Sequence, residues 1–219
     1  MAVAHELVTF ARRQLEPILH LSGKFLYSSA DTLKPGRIYL LGHNPGGSPL
    51  AKAAQTIGLC LDALPHKETN DYLDESWKNQ PAGTSFLQLR VKWLLQNIGL
   101  NPREVAASNL IFPRSVAAAG IRFAELSEIC WPVRERILDI VGPALVIVFG
   151  NSGESPYAFL RQKFNASSET TVPSGHGTWN CRTFDVRGRF RVVGLPHLSR
   201  YNVRAHAHIA TWLNSFPAP

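Results

Sequence analysis

Four short apolar runs in this sequence each lead into hydrogen-bonding residues. His43, Asn44 and Ser48 follow the run 38–41, Asn109 lies within the run 105–112, Asn151 and Ser152 follow 144–149, and His197, Ser199 and Asn202 follow 190–195. These are imidazoles, amides and hydroxyls. The carboxylate pair that acid–base glycoside hydrolysis uses is missing from them. No G-x-x-x-x-G-K-[ST] occurs, which argues against a P-loop nucleotide hydrolase. No HExxH or Cys/His ligand set occurs, so no metal is expected, and no cofactor is implied. The first cluster sits in His43-Asn44-Pro45-Gly46-Gly47-Ser48-Pro49. Its glycines allow a ligand close to the backbone, and successive N–H groups in such a turn can hold an anion. Taken alone, the stretch reads equally well as an ordinary loop between strand and helix.

The elements around these clusters alternate. Apolar residues at helical spacing predict a helix over 3–20, and Lys34-Pro35-Gly36 turns the chain into the first strand. Residues 50–82 are polar and without a strong period, which suggests a site-forming insertion with short helices at 60–82. Thr84 is a candidate N-cap for a helix to about Asn97, stopped by Gly99. The run 105–112 reads as a second strand, 123–141 as a helix closed by Gly142-Pro143, and 144–149 as a buried strand. A short helix at 156–163 precedes a Ser/Thr-rich second insertion at 165–180 that contains His176. The segments 182–185 and 189–193 either pair as a hairpin or continue one winding strand. The last strand is 190–195, and a helix from about Asn202 to Phe216 ends the pattern. His206 and His208, two apart on that helix, face differently and read as surface or packing residues.

Short apolar strands alternating with helices imply an α/β fold, a three-layer α/β/α sandwich around a central, mostly parallel four-stranded sheet. Without a linker or repeat, residues 1–219 are expected to form a single domain. Parallel strands would bring all four clusters to one rim, the edge where open α/β sheets bind ligands.

Of 219 residues 45% are hydrophobic and 18% charged, ordinary values for a globular chain. Lys plus Arg outnumber Asp plus Glu by 23 to 16, mostly as Arg, and a net charge of +7 tilts towards a polyanionic partner. Cys60, Cys130 and Cys181 are widely spaced and read as core residues in a reducing compartment. There is no signal-like start and no run of ~18 apolar residues, so the expectation is a cytoplasmic protein with no membrane partner.

The pairing of Leu41-Gly42-His43-Asn44-Pro45-Gly46 with Leu195-Pro196-His197-Leu198-Ser199-Arg200-Tyr201-Asn202 resembles the uracil-DNA glycosylase superfamily. In that family a G-x-[ND]-P-[GY] motif follows the first strand and an H-P-S-P-like motif follows the last. The GxNPG form is closest to the mismatch-specific and single-strand-selective branches. Asn109 and the run from Pro143 to Asn151 fall in the family's order. Leu198 stands where the family has Pro.

The resemblance implies a monomeric, monofunctional glycosylase acting on DNA that contains a damaged or modified base. Asn44 would orient the attacking water, and His197 would donate a hydrogen bond to the carbonyl oxygen of the leaving base. Asn109 would read the base edge with donor and acceptor on one amide, beside His43. Gly46, Gly47, Ser48, Ser199 and Arg200 would contact phosphates, and Leu198 and Tyr201 would wedge into the duplex. Phe86, Tyr72, Phe112 and Trp179 are candidates to stack on the base. Uracil is the default substrate. The small Gly47 and Ser48 raise the alternative of a bulky hypermodified base from phage DNA, removed in defence. A non-catalytic DNA-binding module on the same fold, and a hydrolase of free nucleosides, are readings of other classes.

Overall fold

The computed structural model describes residues 2–117 and 121–216; Met1, residues 118–120 and residues 217–219 of the expected 1–219 unit lie outside the described residues. The strands are β1 (Ile38–Gly42), β2 (Ala106–Asn109), β3 (Leu145–Phe149), β4 (Thr170–Pro173), β5 (Asn180–Val186) and β6 (Phe190–Leu195). They form one sheet in the order β2-β1-β3-β6-β5-β4. β1, β2, β3 and β6 run parallel, with Gly42 opposite Asn109, Leu41 opposite Val148 and Phe149 opposite Leu195. All four therefore end at the same rim.

The sheet is wider than the expected four strands, and it is mixed. β5 lies antiparallel to β6, and β4 antiparallel to β5. The segments 182–185 and 189–193 thus pair as a hairpin, and the insertion at 165–180 supplies an edge strand. β4 carries no apolar run, because an edge strand exposed on most sides has no core to face.

Alternation along the strands sends side chains to two cores. Tyr39, Leu41, Val146, Val148 and Val192 pack with residues of α1 (Ala2–Gln14), α2 (Ile57–Ala63), α5 (Phe123–Val141) and α6 (Pro156–Lys163). Ile38, Leu40, Ile147, Val193 and Leu195 pack with Tyr72 of α3 (Asp71–Asp74) and with α4 (Phe86–Asn97) and α7 (His208–Asn214). Helices cover both faces, as burial of the apolar parallel strands requires. Among the described residues no helix is long and apolar enough to cross a membrane. Cys130 and Cys181 are buried, Cys60 is half-buried, and all three are free.

Several boundaries differ from the sequence expectation for local reasons. α1 stops at Gln14 and gives way to a 3-10 turn at Glu16–Ile18, where Pro17 cannot donate to the helix ladder. α4 is capped by Ser85, not Thr84, because only Ser85 has a glutamine three residues on. The Ser85 side chain accepts from Gln88 N–H while Gln88 Oε1 accepts from Ser85 N–H at 3.0 Å. The terminal segment begins as a 3-10 turn at Val203–Ala205 before α7. β2 is shorter than 105–112, yet Leu110 N–H and Ile111 N–H continue the pairing to Gly42 O at 2.8 Å and His43 O at 3.0 Å.

Behind β2 a fully buried Arg134 reaches Ser108 Oγ at 2.6 Å, with its guanidinium 3.6 Å from the Phe112 ring centroid. It donates further to the carbonyls of Leu110 and Phe25, both at 3.4 Å. Burial holds its pKa below the usual arginine value. Carbonyls, hydroxyls and aromatic faces thus hold this cation against the strand that ends in Asn109.

Candidate active site

The parallel register puts His43, Asn44, Asn109, Asn151 and His197 at one edge of the sheet. At the end of β1 the amide of Asn44 is held on three sides. Its Oδ1 accepts from His43 Nδ1 at 2.9 Å, and its Nδ2 donates to Pro45 O at 3.0 Å and Ser115 Oγ at 2.8 Å. Ser115 in turn donates to Ala117 O at 2.7 Å. Both amide N–H groups are occupied, and Oδ1 keeps one lone pair. A water held there must donate to Oδ1 and so turns its own lone pairs outward. Burial lowers the pKa of His43, whose ring lies 4.9 Å from that of Phe123, and its bond to Asn44 only partly opposes this.

Beyond β6, His197 Nδ1 accepts the backbone N–H of Ser199 at 3.2 Å and lies 2.8 Å from Ser199 Oγ. In the neutral ring the proton must then sit on Nε2. Burial, reinforced by His43 and Arg200, pushes the His197 pKa down to about 4. At neutral pH this side chain is an uncharged Nε2–H donor.

The glycine loop rests on a residue that sequence reasoning missed. Arg114 is buried and donates through Nη1 to Gly46 O and through Nη2 to Gln55 Oε1 at 3.3 Å, while its Nε has no partner among the described residues. With the Gly46 carbonyl turned in, the trans peptide turns the Gly47 N–H away from Arg114. Gly47 sits at φ +105°, a backbone state that glycine adopts without strain. Gly46 and Gly47 are exposed and Ser48 half-buried, and Gly46 is bridged to Ser115, so the loop lies at the surface over the buried Arg114. Only an arginine just past Pro113 could have signalled this in the sequence.

Asn109 is 6% exposed and its side chain lies across Gly42, where a Cβ would overlap Asn109 Oδ1. The Asn109 side chain lies beside the phenol of Tyr27, whose pKa burial raises to about 12. Tyr27, between α1 and β1, packs with Tyr72 at 5.5 Å and Trp77 at 6.1 Å between ring centroids. Beside them Lys24 pairs with Asp71 at 2.8 Å and with Glu75, and Lys67 reaches Asp71 at 2.7 Å. Burial alone would raise Glu75, but Lys24 and the Trp77 N–H outweigh it and hold its carboxyl low. Gln88 Nε2 bonds the carbonyls of Asp71 at 2.8 Å and Glu75 at 2.7 Å, tying the insertion at 60–82 to α4. The insertion therefore walls the Asn109 side of the rim.

Other expected residues stand elsewhere. Leu198 and Tyr201, assigned to a duplex wedge, are both 0% exposed. Leu198 packs in the core under α4, its carbonyl accepting from Arg90 at 2.6 Å, and the Tyr201 hydroxyl donates to Ser174 O at 2.6 Å. The wedge assignment is corrected: apolar burial outweighs display of these side chains, and Ser199 and Arg200 form the exposed tip of this loop. Tyr72 and Phe112 are buried, while Phe86 is 71% and Trp179 40% exposed. Asn151 is a turn residue, donating to Asn180 O and Gly194 O at 2.8 Å each. Ser152 is exposed, and His176 lies exposed on the turn between β4 and β5. No group of three or more His, Cys, Asp or Glu suited to a metal ion occurs among the described residues.

Fold and site define an α/β protein with an amide, a neutral imidazole and a cation-backed glycine loop along one rim. No protein-family model matches this chain, and no curated protein matches it.

Proposed function

We propose that this protein is a monofunctional DNA glycosylase of the uracil-DNA glycosylase type, which flips a modified or damaged pyrimidine out of DNA and hydrolyses its N-glycosidic bond. The observation that carries the reading is the pairing, on one rim, of an Asn44 amide whose only open position is an acceptor with a His197 ring that stays neutral and donates through Nε2. As the C1′–N bond breaks, its electron pair leaves with the base and positive charge develops on the sugar. His197 Nε2–H stabilises the oxygen anion of the departing base, and fixed donors of this kind supply about 3–4 kcal/mol in other enzymes. The water on Asn44 Oδ1 adds its oxygen to C1′, and the proton it loses ends on the released base. Asn109 meets the base edge, and the exposed glycine loop over the Arg114 guanidinium suits a neighbouring phosphate.

Uracil is the default base. A bulkier modified base is the second reading, favoured by open space around Gly46, where an added Cβ would meet nothing within 4 Å. A mass-spectrometric screen for bases released from DNAs carrying uracil and diverse natural modifications tests both. Release of a free base that is lost in Asn44→Ala supports the proposal. No release from any DNA, with DNA binding intact in Asn44→Ala, replaces it with a non-catalytic binder.

A further inference from the structure

With Leu198 and Tyr201 locked in the core, the loop after β6 offers no apolar group to a DNA strand. The projection beside it does. The turn between β4 and β5, residues 174–179, leaves the sheet at the same edge because β5 runs antiparallel to β6. It is braced internally by Ser174 N–H to Trp179 O at 2.9 Å, Trp179 N–H to His176 O at 3.0 Å and His176 N–H to Ser174 Oγ at 3.2 Å. Two rim residues fasten it: Tyr201 donates to Ser174 O at 2.6 Å, and Asn151 donates to Asn180 O at 2.8 Å. From this held frame the Trp179 ring stands 40% exposed, packed against the exposed His176 at 4.7 Å between ring centroids. Exposed Arg200 and Arg204 lie on the neighbouring loop.

A rigidly mounted, half-exposed indole beside cations is the arrangement that stacks on unpaired bases, whose π-faces are accepted whatever the sequence. The geometry points to Trp179, backed by His176, as a stacking platform for an unpaired base next to the flipped nucleotide, which is the work the buried Leu198 and Tyr201 cannot do. It rests on the reading of the rim as a DNA site, but not on catalysis.

The test is binding of a short single-stranded oligothymidine, without any excisable base, to the intact protein, followed by anisotropy at several salt concentrations. Trp179→Ala is expected to weaken binding roughly tenfold with an unchanged salt slope, and Trp179→Phe to retain most of the affinity. Arg200→Ala is the contrasting variant and should lower the slope by about one. Because Trp179 is half-exposed, both variants should melt at the wild-type temperature. Wild-type affinity in Trp179→Ala, or an equal loss in Trp179→Phe and Trp179→Ala, overturns the proposal. The outcomes remain separate from the glycosylase reading: a stacking defect in a protein that releases no base keeps this inference and removes that one.

Discussion

The backbone N–H of Ser199 donates to His197 Nδ1 at 3.2 Å, so the neutral histidine carries its proton on Nε2. Its pKa is pushed down to about 4 by burial, then by His43 and Arg200. Protonation of His197 therefore should not cut the rate of base release as pH falls through 6.5, the ordinary histidine value; that loss should come only near 4. His197→Ala should lower single-turnover base release by about 10²–10³ across the neutral range. A pH–rate profile that breaks at 6.5 would refute the neutral-donor role.

The same depression makes a stability statement. Below pH 6.5 the unfolded chain binds a proton that folded His197 refuses, so its contribution is complete above 6.5 and is lost as pH falls towards 4. His43, lowered by burial, acts with the same sign. Thermal melts should show wild-type stability declining across this window more steeply than that of His197→Gln.

Asn44 depends on Ser115 for one of its two donor contacts, at 2.8 Å. Asn44→Ala should abolish detectable base release while leaving DNA affinity within about twofold. Ser115→Ala frees the amide to rotate and should lower kcat roughly tenfold with KM unchanged, as loss of positioning predicts. A rise in KM alone in Ser115→Ala would assign that hydroxyl to binding.

Gly42→Ala would drive a Cβ into Asn109 Oδ1. Since Asn109 is buried beside Tyr27, the clash should cost about 1–3 kcal/mol of stability and displace the amide proposed to read the base. Denaturant unfolding measures the first effect, and relative release rates for two pyrimidines the second. Unchanged selectivity in a destabilised variant would detach Asn109 from base recognition.

Arg114 underlies the exposed Gly46–Gly47 peptide. Arg114→Gln removes that charge and should reduce the slope of log affinity against log salt by about one. An unchanged slope would leave Arg114 as a purely structural brace.

The sequence by itself determined the parts that depend on neighbours along the chain. The apolar runs ending at Leu41, Phe149 and Leu195 form strands as read, α5 and α6 occupy the expected spans, and the Ser85–Gln88 box could have been found from its three-residue spacing. Parallel pairing of those strands follows from their apolar character, so the gathering of His43, Asn44, Asn109 and His197 on one rim was also legible. Tertiary structure decided what depends on distant partners. The exposed β4 joins the sheet through backbone bonds to β5, which carry no hydropathy signal. Arg114 meets Gly46, and Tyr27 meets Asn109, across separations that no local period encodes. The orientation of the loop after β6 was decided there as well. A leucine and a tyrosine after a histidine can be displayed or buried, and only the space beneath α4 and beside Ser174 drew both inward. Burial is a property of the whole packed chain, and so the candidate stacking aromatics left exposed are Phe86, at the start of α4, and Trp179, on the turn between β4 and β5.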